Sequence, residues 1–162
     1  MLMKGLVQTA DLLRAVLNKE TGLHGGGVLS HVAAIDCPQL NRTLLLTDCA
    51  ICTYPDLKTK VQIVENAVSV AHGLGIKRPI VAPLAAVEVV NPNMPATLDA
   101  AALALMSQRG QIKRCFIDGP LALDVALSEE AAAHKGLRSE GAGKADILLF
   151  HLIQLAVGLQ QR

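Results

Sequence analysis

Two acidic turns and a pair of thiols are the first places in this 162-residue sequence where chemistry could occur. Thr47-Asp48-Cys49 closes one aliphatic run and Asp118-Gly119-Pro120 closes another. A carboxylate placed there can contact a ligand or orient a donor. It can equally cap the helix or turn that follows. Asp48, Asp118 and Asp124 all carry both readings. At Gly119 the backbone matters more than a side chain would. Arg14 offers a planar guanidinium fork that matches phosphate oxygens. Its plainer role is a solvated helix residue paired with Asp11, three residues earlier. Asn91 stands in a further strand-end loop, Glu88 to Asn91.

The thiols form Cys49-Ala50-Ile51-Cys52. In a redox protein such a pair opens a helix, which lowers the first thiol's pKa. Here the amphipathic pattern starts later, near Pro55-Asp56. A zinc site would need Cys37, His24 and His31 besides, without a second Cys-x-x-Cys. The favoured reading is a pair of small buried hydrophobes. His31, beside a strand, reads as a core-edge donor more readily than as a phosphate ligand. Gly25-Gly26-Gly27 lacks the strand–loop–helix frame of a phosphate cradle and reads as a connection.

The elements that must position these residues alternate. Gln8 to Asn18 carries a short apolar helical face at Leu12, Leu13, Val16 and Leu17. Val28 to Ile35 and Thr43 to Thr47 read as strands, joined through Pro38, Asn41 and Arg42 in a hairpin-like link. Leu57, Val61, Val64, Val68 and Ala71 fall on one helical face, with Pro55-Asp56 at the start and Gly73 and Gly75 at the end. A strand over Pro79 to Ala86 follows. A helix over Ala96 to Gln108 should then pack through Leu98, Ala102 and Leu105. Lys113 to Asp118 reads as strand, Leu121 to His134 as helix, and Ala145 to Phe150 as a last buried strand.

Strands separated by helices predict a three-layer α/β/α domain with a mainly parallel sheet. In such sheets ligands bind beyond the carboxyl ends of the strands. Composition agrees: 51% of residues are hydrophobic but only 2% aromatic, so the core is built from Ala, Val, Leu and Ile, as parallel strands favour. A formal charge of +1 with no basic arm argues against nucleic acid. No apolar run nears the ~20 residues of a membrane helix. The start is not a secretory signal, and a cytoplasmic protein with free thiols is expected.

Several phrases together resemble one family. Thr47-Asp48-Cys49-Ala50-Ile51 with Tyr54-Pro55-Asp56-Leu57 resembles a strand-to-helix junction of the phosphate acetyl/butyryltransferases. Ala85 to Pro92 with Met94-Pro95-Ala96-Thr97, Asp118 to Asp124, and Ala142 to Leu148 resemble later junctions in the same order. Thr9-Ala10-Asp11-Leu12-Leu13-Arg14 resembles the family's segment whose arginine is implicated in holding coenzyme A or phosphate. The agreement runs over residues 4 to 150, as a domain over 1–150, leaving a divergent tail at 151–162 that could pack through Leu152, Leu155 and Leu159.

The resemblance implies the second domain of a phosphotransacetylase. It implies exchange of an acyl group between coenzyme A and inorganic phosphate, with coenzyme A as substrate and no permanently bound cofactor. It implies a homodimer, with neither nucleic acid nor membrane as partner. Substrate-binding residues would be Arg14, Asp48, Asn91, Asp118, Gly119 and Asp124; no catalytic residue is assigned. Val89-Val90-Asn91-Pro92 resembles the butyryl-type branch, although a pocket reads one methylene for only ~1–3 kcal/mol. Cys52 departs from the family's usual Asn. The family's Pro-acidic-Glu-Ala-Gly-Asn loop and its Ser-Arg…Asp segment, implicated in deprotonating the thiol, have no counterpart here. A chain truncated at both ends with impaired activity is therefore expected. The alternatives are a non-catalytic remnant that binds coenzyme A or pairs with a subunit, and a Cys-x-x-Cys redox protein.

Overall fold

The computed structural model describes residues 4–23 and 25–151. Within them lie helices α1 (Thr9–Val16), α2 (Leu57–Gly73), α3 (Pro95–Gln108), α4 (Leu123–Leu127) and α5 (Glu129–His134). The strands are β1 (Val32–Cys37), β2 (Arg42–Thr47), β3 (Ile80–Pro83), β4 (Phe116–Ile117) and β5 (Ile147–Leu149). They form one sheet in the order β1-β2-β5-β3-β4. β1 runs antiparallel to β2, while β2, β5, β3 and β4 are mutually parallel. His24 and the tail leucines Leu152, Leu155 and Leu159 lie outside the described residues.

Alternation along the strands creates two apolar layers. Leu45, Val81, Ile147 and Leu149 face α2 and α3 with Ile63, Val64, Ala67 and Leu103. Ala82 and Leu148 face the opposite way, packing with Val125, Ala126 and Ala132 of α4 and α5. Residues of the inner strands β3 and β5 therefore meet helix on one side or the other, which explains their near-continuous aliphatic sequence, while edge strand β1 leaves Ala34 to Asp36 exposed.

Some element boundaries differ from the sequence expectation. The first strand begins at Val32, not Val28. Residues 28–31 are held by side chains instead of a ladder. Asn66 Nδ2 donates to Val28 O and Ser30 Oγ, and Thr47 Oγ1 donates to His31 O. α3 turns another face inward than expected. Thr97, Ala100 and Leu103 are buried, while Leu98 and Leu105 remain exposed. This helix carries alanine and leucine all round, so apolar spacing alone does not fix its rotation. The expected helix over 121–134 is two, broken at Ser128, whose extended backbone (φ −131°, ψ 119°) lets its side chain accept from Ala131 N and cap α5.

Candidate functional site

Parallel β2, β5, β3 and β4 bring the residues after Thr47, Leu149 and Pro83 to one edge of the sheet. Asp48 follows β2 and is buried. Its carboxylate accepts from Ala50 N and Ile51 N at 2.8 and 3.0 Å, and from His31 N and Cys52 N at 3.2 Å. Burial works to raise its pKa, but these donors outweigh that and hold the group below its ordinary value. Asp48 thus shapes the 48–52 loop and ties it to residue 31.

The other predicted residues sit in distinct settings. Asp118 N donates to Val81 O, level with the middle of β3, and the chain reaches the strand-end level only where Leu121 bridges Leu84. The Asp118 carboxylate accepts from Gly141 N at 2.9 Å. A side chain at position 141 would put its Cβ 2.5 Å from Asp118 Cβ, so glycine there permits the close approach. Gly119 packs on Pro83; an added Cβ would lie 3.0 Å from its ring. Asp124 is exposed in the first turn of α4 and pairs with Lys135, which also binds Glu88 at 2.9 Å. That ties the loop after β3 to α4 and α5. Asn91 braces the entry to α3. Its N–H donates to Thr97 Oγ1, its carbonyl accepts from that hydroxyl, and its side chain accepts from Asn93 N.

Arg14 stands apart. No residue of α1 is buried, and Arg14 donates to Asp11 at 2.7 Å while largely exposed. Asp48 and Asn91 therefore follow the carboxyl ends of β2 and β3, Asp118 lies below that level, Asp124 is on the surface of α4, and Arg14 faces solvent on a separate helix.

The thiols do not look activated. Burial and the adjacent Asp48 charge push Cys49 and Cys52 up to about 11. At that value only about one thiol in ten thousand is ionised at pH 7, whereas redox and metal-binding cysteines act as thiolates. No group of three metal-ligating side chains occurs among the described residues.

Sequence reasoning missed a cluster at the same edge. Lys60 of α2 is only 2% exposed. Its ammonium donates to Asp99 Oδ2 of α3 and, at 2.7 Å, to Nδ1 of His151, just beyond β5. The Nδ1–Oδ2 separation is 3.8 Å. The cluster borders a crevice of ≈10 Å³ lined by Pro83, Leu84, Ala96, Ala100, Leu149 and Phe150. An ammonium can only donate, so His151 Nδ1 accepts and a neutral ring carries its proton on Nε2. Burial and the Lys60 charge hold His151 below its ordinary 6.5, with Asp99 acting in the opposite sense. One signal was present: Lys60 lies four residues before Val64 and eight before Val68, on the buried stripe of α2.

Comparison with known proteins places this geometry among phosphate acyltransferases. A family model described as "Phosphate acetyl/butaryl transferase" matches residues 1–155. The chain is 62% identical to the phosphate butyryltransferase of Clostridium acetobutylicum over 154 residues, covering 95% of this chain and 51% of that protein. It is 46% identical to the phosphate acetyltransferase of Thermotoga maritima, over 96% of this chain and 53% of the other. The crystal structure of a branched-chain phosphotransacylase from Enterococcus faecalis superposes with a TM-score of 0.88 at 39% identity, covering 97% of this chain and 56% of that one. The chain spans about half the length of the curated relatives it matches.

Proposed function

The chain belongs to the phosphate acetyl/butyryltransferase family, and on that premise we propose that it acts in transfer of a butyryl-like acyl group between coenzyme A and inorganic phosphate. The observation that carries this is 62% identity to a phosphate butyryltransferase along 95% of the chain. In the reaction the coenzyme A thiolate attacks the carbonyl carbon of an acyl phosphate. The tetrahedral oxyanion then collapses, the carbon–oxygen bond to phosphate breaks, and phosphate departs.

In this reading Arg14 binds a phosphate of coenzyme A, and the edge around Asp48, Asn91, Asp118, Gly119 and Asp124 forms the acyl phosphate side. Coenzyme A is a substrate, no cofactor is bound permanently, and the working protein is a cytoplasmic homodimer. No helix among the described residues is long and apolar enough to cross a membrane.

A polypeptide of these 162 residues alone should turn over slowly. A thiol of pKa about 8.5 needs a base, and a positioned base contributes ~10²–10⁴-fold. The strand-end candidates are committed elsewhere: Asp48 to four N–H groups, Asp118 to Gly141, and His151 Nδ1 to Lys60. The non-catalytic reading, in which the chain binds coenzyme A or pairs with a subunit, draws on the same observation.

The test measures coenzyme A binding by calorimetry and acyl-CoA formation from butyryl phosphate. Binding without appreciable turnover, weakened in Arg14→Ala, is expected. Absence of coenzyme A binding would refute the acyltransferase reading. Turnover matching an intact relative would refute the predicted impairment, and undiminished binding in Arg14→Ala would remove that residue from the site.

A further inference from the structure

We infer that residues 152–162 fold as an amphipathic helix into an apolar groove between β1, β2 and α4, so that the chain's own tail covers the open side of its sheet. The inference does not draw on the acyltransferase reading.

The groove lies on the face of the sheet that α4 and α5 cover only in part. Leu44, Leu46 and Leu148 form its floor, Ile35 of β1 one wall, and Leu123 and Leu127 of α4 the other. Cys37 lines it as well. Pairing of β1 with β2 runs from Val32 opposite Thr47 to Cys37 opposite Arg42, which sets Cys37 at the end farthest from Thr47. Every lining side chain is aliphatic or a thiol. Ile35 is 43% exposed, although its partner across the ladder, Leu44, is only 4% exposed. An aliphatic trough of this kind on a folded chain marks a surface that gains by being covered.

Position, length and pattern point to residues 152–162 as the occupant. They follow directly on His151, which stands three residues past Leu148 of the floor. Phe150 packs in the same apolar layer as Leu148, and its N–H donates to Thr47 O, so the chain leaves β5 at the near end of the groove. Leu152, Leu155, Ala156 and Leu159 recur at the spacing of one helical face, with Gln154 and Gln161 opposite. As a helix, 152 to 159 spans about 10 Å. The floor from the level of Leu46 to that of Cys37 runs about 13 Å along β2. The free space of ≈160 Å³ is close to a cavity of about 150 Å³ that holds a benzene molecule, so it seats one or two leucine side chains. Leu152 would lie at the mouth, and Leu159 would come nearest Cys37.

Three states of the groove differ in what protects Cys37. If the groove is open, the thiol is as accessible in the intact chain as in any tail variant. If a second copy fills it, protection falls on dilution. If the tail fills it, protection depends on the tail's own leucines and not on concentration. An eleven-residue segment is marginal as a helix in water by itself, so docking and helix formation should be lost together.

The experiment follows alkylation of Cys37 by iodoacetamide in the full 162-residue chain, read by mass spectrometry of the peptide that carries it. The double variant L155D/L159D should label at Cys37 about tenfold faster or more, because charged side chains do not enter an apolar groove. Q154E/Q161E, on the opposite face, should label as the wild type does. Cys115, packed against the α2 and α3 layer, should keep its rate in both variants and so report an intact fold. A second measurement leaves the inner leucines in place. Leu159→Cys should form an intramolecular disulfide with Cys37 under oxidised glutathione, and the oxidised chain should stay monomeric in non-reducing electrophoresis. Equal Cys37 rates in the wild type and L155D/L159D would overturn the inference. So would protection that disappears on dilution, which would assign the groove to a second copy, or a Leu159→Cys variant that links only between chains. None of these outcomes bears on coenzyme A binding, so the acyltransferase reading stands or falls separately.

Discussion

Asp48 and Asp118 commit their carboxylates to backbone N–H groups, whereas Lys60 commits its ammonium to side chains on two other elements. The sequence shows all three as charged residues beside aliphatic runs, and that much was legible. Which way each side chain turns was not, because the deciding partners lie far along the chain. Gly141 is 23 residues from Asp118, and His151 is 91 from Lys60. The same cluster sets a pH response. Burial and the Lys60 charge keep His151 neutral, so between its lowered folded pKa and its ordinary 6.5 the unfolded chain binds more protons. Stability from this group is therefore complete above about pH 6.5 and falls as pH drops toward the folded pKa. Thermal melts between pH 7.5 and 5.5 should show Tm declining, and His151→Gln should flatten that decline. An unchanged slope in the variant would show that His151 is as free to protonate in the fold as outside it.

At the scale of elements, strand and helix order was readable while exact limits and rotations were not. α2 announced itself through Val64, Val68 and Ala71 on one face and Asp56 at its start, and Asp56 does accept from Thr59 N. α3 offered no such contrast: its many alanines make several faces equally apolar. Inward rotation instead accompanies Asp99 meeting Lys60 and the Thr97 hydroxyl bonding at the helix entry. The stretch over 121–134 looked continuous because Ser128 is an ordinary helix-surface residue by composition. In the fold its hydroxyl accepts from Ala131 N at 3.1 Å, which starts α5 afresh. Ser128→Ala should cost ~1 kcal/mol and Ser128→Gly only a few tenths, because glycine retains the capping backbone. Urea unfolding of the two variants decides this. No cost in either variant would mean that the hydroxyl contributes nothing to the break.

For the molecule as a whole, the aliphatic runs and the turns after them implied a mainly parallel sheet between helices, since only strands covered on both faces tolerate such runs. What single-chain patterns leave open is the partner of an element this chain does not cover, and α1 is such an element. It has eight residues, none buried, and Leu6, Val7, Leu17 and Leu23 around it are exposed. Helices shorter than ~12–15 residues are marginal in water on their own. Leu12, Leu13 and Val16 give α1 an apolar stripe, so it gains most by burying that stripe against another molecule. Association of the chain at micromolar concentration is therefore expected, with α1 at the contact. Sedimentation should report a dimer or larger species, and α1 amides should gain exchange protection as concentration rises. Leu13→Glu should shift the population toward monomer while leaving the melt of the α2–β5 core unchanged, because no core residue touches that change. A monomer whose α1 amides are already protected at the lowest concentration would show that the helix needs no partner.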